Sequence, residues 1–371
     1  MKQAFRYKNI FMYASLQFCG HIEEYFASHT EKLVVFIVMP RLKNRGNLVR
    51  VYKSGKLIEE KNVWSSDNIF FYYISWYFHY LKFIFSYFSR KERFIVLSGH
   101  PISFLGMTLQ RLLRKITFVY WVGDYFPPTN KLLYWYEKLK KYYHTKVTLR
   151  YYLSEGINQQ INGRVIEDAT HRTIMWGVKP VSLVRSDPKS NLTLLFVGLI
   201  KHGQGLEKLF VFLRTHKEFS LKIIGICNDE LFSKYKNIVT KYHIAKQVFF
   251  PNTFYSDEEL IELAKSCHIG IALYDISPLS SAYYTDPGKI KSYAEMNLPV
   301  IMSNTSSIAP FIRKFHAGQL ISEKPEDLVK AIEKITKDYF RYLEGLKKFN
   351  AYFYFESYYK RAFVALEKRN W

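Results

Sequence analysis

Acidic residues are the scarce class in this 371-residue chain: 32 Asp and Glu stand against 54 Lys and Arg, a net charge of +22. A field that positive attracts nucleic acid, anionic lipid or phosphorylated substrates. Cysteine is scarcer still. Cys19, Cys227 and Cys267 lie far apart with no metal or redox spacing, which argues against a disulfide framework and for a reducing compartment. No RNP, KH, zinc-finger or basic-zipper pattern occurs, so the positive charge points to a membrane surface before nucleic acid. No G-x-G-x-x-G follows the first apolar run, and no dinucleotide site is expected. The opening Met1–Lys8 is charged and lacks an apolar h-region with a small-residue cleavage site. A cytoplasmic protein is the expectation, peripheral on the inner face of the membrane if the basic surface docks there.

Hydrophobic residues make up 48%, enough for a globular chain whose length allows two full cores. Aromatics reach 18% and are interleaved with basic residues, a mixture suited to a membrane–water interface and to single-stranded nucleic acid. Base composition of the gene can produce the same Lys, Tyr, Phe, Ile and Asn enrichment.

Residues 69–89 are apolar enough to consider as a spanning helix. Ser75, His79, Lys82, Ser86 and Ser89 recur at steps of four and three, with Phe70, Ile74, Phe78, Leu81, Phe85 and Phe88 on the other face. That periodicity predicts an amphipathic helix packed through its Phe-rich face, not a span. Residues 131–150 hold six basic residues and only Glu137 as an acid, with Tyr134, Trp135, Tyr136, Tyr142 and Tyr143 between them. A solvated face is the ordinary reading of such a run, and an anionic-lipid surface is the sharper one.

Apolar runs at 9–13, 33–39 (stopped by Pro40), 48–52, 94–97 and 118–122 predict strands of a first domain. His100 follows one strand and Asp124 another, at carboxyl ends where open α/β sheets bind ligands, so the two are expected to face a common cleft. Asp124 is a candidate general base or hydroxyl anchor. A helix cap for the Asp and a structural role for the His are the plain alternatives. Composition turns polar from Trp176 to Asn191, which places a linker at 177–191. Strand–helix alternation then runs five times between 192 and 302, the pattern of a parallel doubly wound sheet. Its first strand ends at Gly198 and leads into Lys201-His202-Gly203-Gln204-Gly205, where glycines would let backbone approach a phosphate and the basic residues would neutralise charge. Ser256 followed by Asp257, Glu258 and Glu259 marks a helix start.

The most informative stretch is 283–301. Asp286 is expected to be an N-cap and Pro287 the first helical residue. Gly288 leaves the backbone open to a ligand. Lys289 sits in the first turn, where the helix dipole disfavours a cation unless an anion is bound there. Ser292 shares its face.

This stretch resembles the donor-binding segment of GT-B glycosyltransferases of the family 4, galactofuranosyl- or glucosyltransferase-like kind. Pro287, Lys289, Tyr293, Pro299, Val300 and Ile301 match. Ser292 replaces the usual glutamate and Asn297 the usual glycine, and the paired-glutamate pattern of retaining members is absent, with Tyr284 and Ser292 in those places. Gly198, Gly203, Gly205, Gly225, Asp257–Leu260 and Gly318 extend the resemblance over most of 192–325, while the first half is similar in topology only.

The resemblance implies two Rossmann-like doubly wound parallel-sheet domains facing a cleft. Residues 1–176 would bind the acceptor, 192–341 a nucleotide-sugar, most simply a UDP-sugar, and a helix at 342–371 would cross back onto the first domain. Lys289 would meet the diphosphate, and Phe250 and Asn252 lie where the family holds the base. The implied activity is hexosyl transfer to a saccharide or lipid-linked acceptor in cell-surface polysaccharide synthesis. It would need no metal or other cofactor, since Lys289 and the helix dipole can do what a divalent ion does, and no D-x-D motif contradicts this. Two alternatives are a catalytically weak binding subunit of the same fold and a basic nucleic-acid-binding protein.

Overall fold

β-Branched and aromatic residues fill Tyr7–Ser15 (β1), Thr30–Val38 (β2) and Asn47–Lys53 (β3), which pair with one another in the computed structural model. The structure describes residues 5–15, 19–38, 47–66, 68–185, 188, 192–322 and 324–368. Met39 and Pro40, the expected stop of the second strand, lie outside them, as does most of 186–191. Two compact units emerge: 1–177 with 355–371, and 178–354.

Unit 1 contains, among the described residues, an eight-stranded sheet. Besides β1–β3 it has Lys56–Val63 (β4), Arg93–Ser98 (β5), Lys115–Val122 (β6), Leu149–Tyr152 (β7) and His171–Thr173 (β8), in the order β4-β3-β2-β1-β5-β6-β7-β8. The β2–β3 and β3–β4 pairs are antiparallel; Ser54 and Gly55 both turn through positive φ and close the β3–β4 hairpin. This edge was not expected from the sequence: β4 is mostly polar and exposed, with no alternating apolar pattern. The sheet also continues one strand past Tyr152, to β8.

Ile22–His29 (α1) follows β1, Ile69–Tyr87 (α2) precedes β5, Met107–Leu113 (α3) joins β5 to β6, Lys131–Lys146 (α4) joins β6 to β7, and Glu155–Asn162 (α5) follows β7. α2 packs through neither of the two faces read from the sequence: Lys82, Ser86 and Ser89 are exposed as expected, but the buried residues are others. Trp76, Tyr80, Phe83 and Ile84 are its buried stripe, against Tyr13, Phe11 and Phe36, and Ser75 is buried too. Phe78 is 66% exposed, and Ile74 and Phe85 also face out. Of the stripe expected inside, Phe88, just past the helix, is buried; Phe70's side chain lies outside the described residues. Aromatic residues recur all round α2, so period alone could not choose the buried stripe; the strand residues beneath decided. Among the described residues no helix is long and apolar enough to cross a membrane.

Unit 2 contains Thr193–Val197 (β9), Ser220–Ile224 (β10), Val248–Phe249 (β11), Ile269–Ala272 (β12), Val300–Ser303 (β13) and Gly318–Ile321 (β14). They form a parallel sheet ordered β11-β10-β9-β12-β13-β14. Its helices are Leu206–Thr215 (α6), Asp229–Lys241 (α7), Asp257–Ala264 (α8), Gly288–Glu295 (α9), Ala309–Phe315 (α10), Pro325–Lys337 (α11) and Tyr339–Phe353 (α12). Ser256 and Glu259 close a reciprocal capping box at α8, as their spacing predicts.

The tail differs from expectation. Residues 342–371 are not one helix crossing to the first domain. α12 stays in unit 2, where Leu346, Phe349 and Phe353 are buried. The chain leaves at Tyr354, and Phe355–Ala362 (α13) and Val364–Glu367 (α14) pack in unit 1. There Tyr359 Oη donates to Gly20 O at 2.7 Å and accepts from Gly177 N at 2.8 Å. Nor are residues 178–185 a loose linker. Val178 bridges to Tyr354, and the buried Arg185 guanidinium donates to the carbonyls of Ala264, Cys267 and Met296. A cation can be buried there because carbonyl oxygens at loop and helix ends take its hydrogen bonds.

Candidate active site

The order of the unit 2 sheet reverses direction between β9 and β12, and the loops after these two strands are where an open parallel sheet leaves a crevice. The β9 loop runs Gly198 to Gly205. Gly198, Gly203 and Gly205 all have positive φ. A Cβ on Gly205 would lie 2.4 Å from Leu273 Cβ, and one on Gly225 would lie 1.9 Å from Gly198 O, so glycine is required at both. Gln204 Oε1 accepts from Lys201 N at 3.2 Å and ties the loop to itself. Lys201, His202 and Gly203 are exposed.

From the β12 side comes α9, and its start differs from the sequence reading. Pro287 is the N-cap and Gly288 the first helical residue, one position later than expected. Asp286 is therefore not the cap. Its carboxylate turns inward and lies 3.3 Å from Lys291 Nζ, with both side chains almost fully buried. Lys291 also stacks on Phe353, 3.6 Å from the ring centroid. Burial pushes this amine's pKa down, and the Asp286 charge opposes that push. The pair anchors α9 from below and leaves Lys289 as the cation on its other side.

Lys289 Nζ is enclosed and has no hydrogen-bond partner among the described residues. It sits 3.9 Å from the Phe196 ring centroid and 5.5 Å from that of Tyr274. Its Cε would be 3.9 Å from a Cβ on Gly198, so the amine stands at the glycine loop. Burial first, and the Lys201 charge second, push its pKa down to about 7. Two amines that repel one another at a helix start and a glycine loop form a receptor for a multiply charged anion. Phe196 and Tyr274 were not singled out from the sequence. Phe196 lies near the end of β9 and Tyr274 two residues past β12, and that position is the only signal the sequence offers.

Three further donor-side candidates make contacts within the chain. Ser292 Oγ donates to Gly288 O at 3.4 Å, back into its own helix. Phe250 is buried against Phe232, with centroids 5.0 Å apart. Asn252, at φ 52, accepts from Cys227 N at 2.8 Å and so locks two strand-end loops together. Tyr293 receives Val197 N–H at 3.1 Å and donates to Ile271 O at 2.8 Å, holding α9 across β9 and β12. Asn297, where the resemblance has glycine, adopts φ 55 and lets Leu298 N–H return to Tyr293 O. A cavity of about 440 Å³ lies at the opposite end of α9 from Lys289, lined by Leu183, Asn297, Asn350 and Tyr354.

In unit 1 the sheet reverses between β1 and β5, and His100 follows β5. Its Nδ1 accepts from Ile102 N at 3.2 Å, so Nε2 carries the proton. Its ring packs against Trp76 and Tyr136, with centroids 4.5 and 5.6 Å away. Burial and the nearby Lys140 push its pKa down to about 3, so the ring is neutral and offers an N–H. Asp124 follows β6 and is exposed. Its backbone carbonyl accepts from Lys140, whose Nζ is also 2.8 Å from Glu137. Burial first, then the Glu137 and Asp124 charges, raise the pKa of Tyr136, which packs on His100. His100 and Asp124 thus follow neighbouring strands, and Tyr136 of α4 packs on His100. Among the described residues no cluster of three or more His, Cys, Asp or Glu could hold a metal ion.

These two reversed sheets have close structural counterparts. Sucrose-phosphate synthase of Thermosynechococcus elongatus superposes with a TM-score of 0.70 at 14% identity, over 96% of this chain and 100% of that one. The chain has the GT-B fold of glycosyltransferases. The apo lipopolysaccharide outer core galactosyltransferase WaaB gives 0.63 at 18% identity, over 98% of this chain and 99% of that one. Anabaena HepE in complex with UDP gives 0.65 at 10% identity, over 97% and 100%. Residues 219–366 match the model of the glucosyltransferase 3-like C-terminal domain. No curated protein matches the chain. The GT-B assignment rests on the whole architecture, and the family match covers β10 to α14, including the Lys289 helix.

Proposed function

We propose that the chain transfers a hexosyl group from a nucleoside-diphosphate sugar, a UDP-sugar in the simplest case, to a saccharide or lipid-linked acceptor in cell-surface polysaccharide synthesis. One observation carries the reading: the enclosed, unpartnered Lys289 amine beside Lys201, at the glycine loop and the start of α9. A diphosphate brought there raises the Lys289 pKa and holds the amine protonated. When the bond between the sugar's anomeric carbon and the diphosphate oxygen breaks, negative charge collects on that oxygen. The ammonium and the first N–H groups of α9 stabilise it, which lowers the barrier. These amines supply the charge neutralisation in this reading, without a metal. Phe196 and Tyr274 keep water from the amine. In unit 1, Asp124 is the candidate for taking the acceptor hydroxyl proton, and neutral His100 for donating a hydrogen bond to the acceptor. The nearby folds bound to UDP support the donor class, as does the family match around Lys289.

Thermal-shift titration with UDP, GDP, ADP and CMP and their sugar conjugates tests the donor site, on wild type and Lys289→Ala. A midpoint rise with one nucleoside diphosphate, lost in the variant, is expected. No rise with any of them overturns the reading. Release of UDP from the matching UDP-sugar, with and without EDTA, then separates a transferase from a binding subunit without turnover, which would bind and release nothing.

A further inference from the structure

We infer that the α2–α3–α4 face of unit 1 docks on an anionic lipid bilayer. The three helices lie side by side. Tyr77 Oη donates to Leu105 O and Tyr80 Oη to Gln110, while Arg114 lies over Phe85, so α2 and α3 are joined. Arg111 donates to Lys146 O, which joins α3 to α4. The sheet's other face is already covered: Trp121 and Tyr151 meet Phe363 of the C-terminal segment. Among the described residues the helical face has no such cover. Phe78 on α2, Leu109 and Leu112 on α3, and Leu132 and Trp135 on α4 are each 60% exposed or more. An apolar display of that extent marks an interaction surface.

Charge identifies the partner. Neither α2 nor α3 contains an Asp or Glu, and α4 has only Glu137. Glu137 is largely buried and accepts from Lys140 and from Phe126 N. The exposed charged residues of the face, Lys82, Arg111, Lys131, Lys138, Lys141 and Lys146, are all basic. Lys138 Nζ lies 4.9 Å over the Trp135 ring, an amphipathic pair suited to headgroup depth. Protruding leucines among lysines fit the acyl–headgroup boundary of an anionic membrane. A two-fold contact with a second copy would bring like charges together. Nucleic acid would use stacking rings and leave the leucines in water. The inference does not depend on the donor site, which lies in unit 2.

Co-sedimentation of the full chain with phosphatidylcholine vesicles, with and without phosphatidylglycerol, tests it. Binding is expected only with the anionic vesicles and is expected to fall with salt. Lys131→Gln/Lys138→Gln/Lys141→Gln lowers partitioning on the order of 100-fold, from the contribution of each lysine at an anionic surface. Leu109→Ser/Leu112→Ser abolishes it. These side chains are exposed, so the melting temperatures stay at the wild-type value and confirm folding. Equal binding to both vesicle types, or none, overturns the inference. So does lipid-free self-association that the leucine variant abolishes, or binding that excess RNA removes. UDP titration of the same variants is unchanged, which keeps this outcome separate from that of the donor reading.

Discussion

Lys289 Nζ lies 3.9 Å from the centroid of the Phe196 ring and meets no hydrogen-bond acceptor among the described residues. The ring face offers a cation some attraction, but far less than water or a carboxylate would. Thus the residue is held in a state that a bound anion relieves.

Replacing Lys289 by Met separates stability from binding. Removing a buried, unpaired amine raises the stability of the ligand-free protein by about 1–4 kcal/mol, the range found when buried ionic groups give way to apolar ones. The same variant loses the UDP-induced thermal shift. Denaturant unfolding with and without UDP reads both; a variant less stable than wild type and still responsive to UDP would refute the role.

The pH dependence follows from the lowered Lys289 pKa. The amine has a value of about 7 in the fold against an ordinary 10.5. Between these values the unfolded chain holds more protons, so this residue makes the ligand-free protein gain stability as pH rises from 7 towards 10.5. Diphosphate binding acts in the opposite sense, because the anion raises the amine's pKa and binding takes up a proton. UDP affinity therefore weakens above pH 7, by at most about tenfold per unit. Calorimetry at pH 8 in buffers of different ionisation enthalpy measures the proton taken up, and Lys289→Met takes up none.

Gly225 and Gly203 should respond differently to alanine. At Gly225 a Cβ would meet Gly198 O at 1.9 Å, and the backbone must move. A loss of about 1–3 kcal/mol is expected, as for other overpacked sites, together with weaker UDP binding. At Gly203 nothing lies within 4 Å of the added carbon, and only its φ of +75° resists. The cost there is about 1–2 kcal/mol, from left-handed strain. Thermal unfolding of both variants, with UDP titration, checks the contrast.

Asp286→Ala leaves Lys291 buried without its carboxylate, 3.3 Å away in the wild type. Breaking a buried pair in this way costs about 3–5 kcal/mol. Adding Lys291→Met to it should restore much of the loss. A double-mutant cycle by urea denaturation measures the coupling; additive losses would mean that the two charges do not hold α9.

Legibility in the sequence followed how local each cause was. The parallel sheet of unit 2 could be read because each strand is a short apolar run bounded by glycine, proline or a capping residue. Lys289 could be read because a cation in a first helical turn is a local contradiction. Asp286 misses the cap position by one residue of backbone, and its burial depends on Lys291 and Phe353. The buried stripe of α2, Trp76, Tyr80, Phe83 and Ile84, is not legible because aromatic residues recur all round the helix. For Phe250 and Asn252 the sequence offers only their place at loop ends; that one packs on Phe232 and the other accepts from Cys227 N is decided by packing. The break at Tyr354 depends on which unit buries Phe353 and which Phe355.

By itself the sequence determined the strand–helix alternation, the glycine loop, the Lys289 segment and the excess of basic charge. Each is a property of neighbouring residues: periodicity, backbone freedom, charge. Only the tertiary structure decided which helix faces point outward and that, among the described residues, Lys291 is paired while the Lys289 amine meets no hydrogen-bond partner. Burial and pairing join residues such as Lys289 and Phe196, 93 positions apart by their numbers 289 and 196. A contact at that separation leaves no mark in a local pattern, because its energy comes from the packed interior that the whole chain creates.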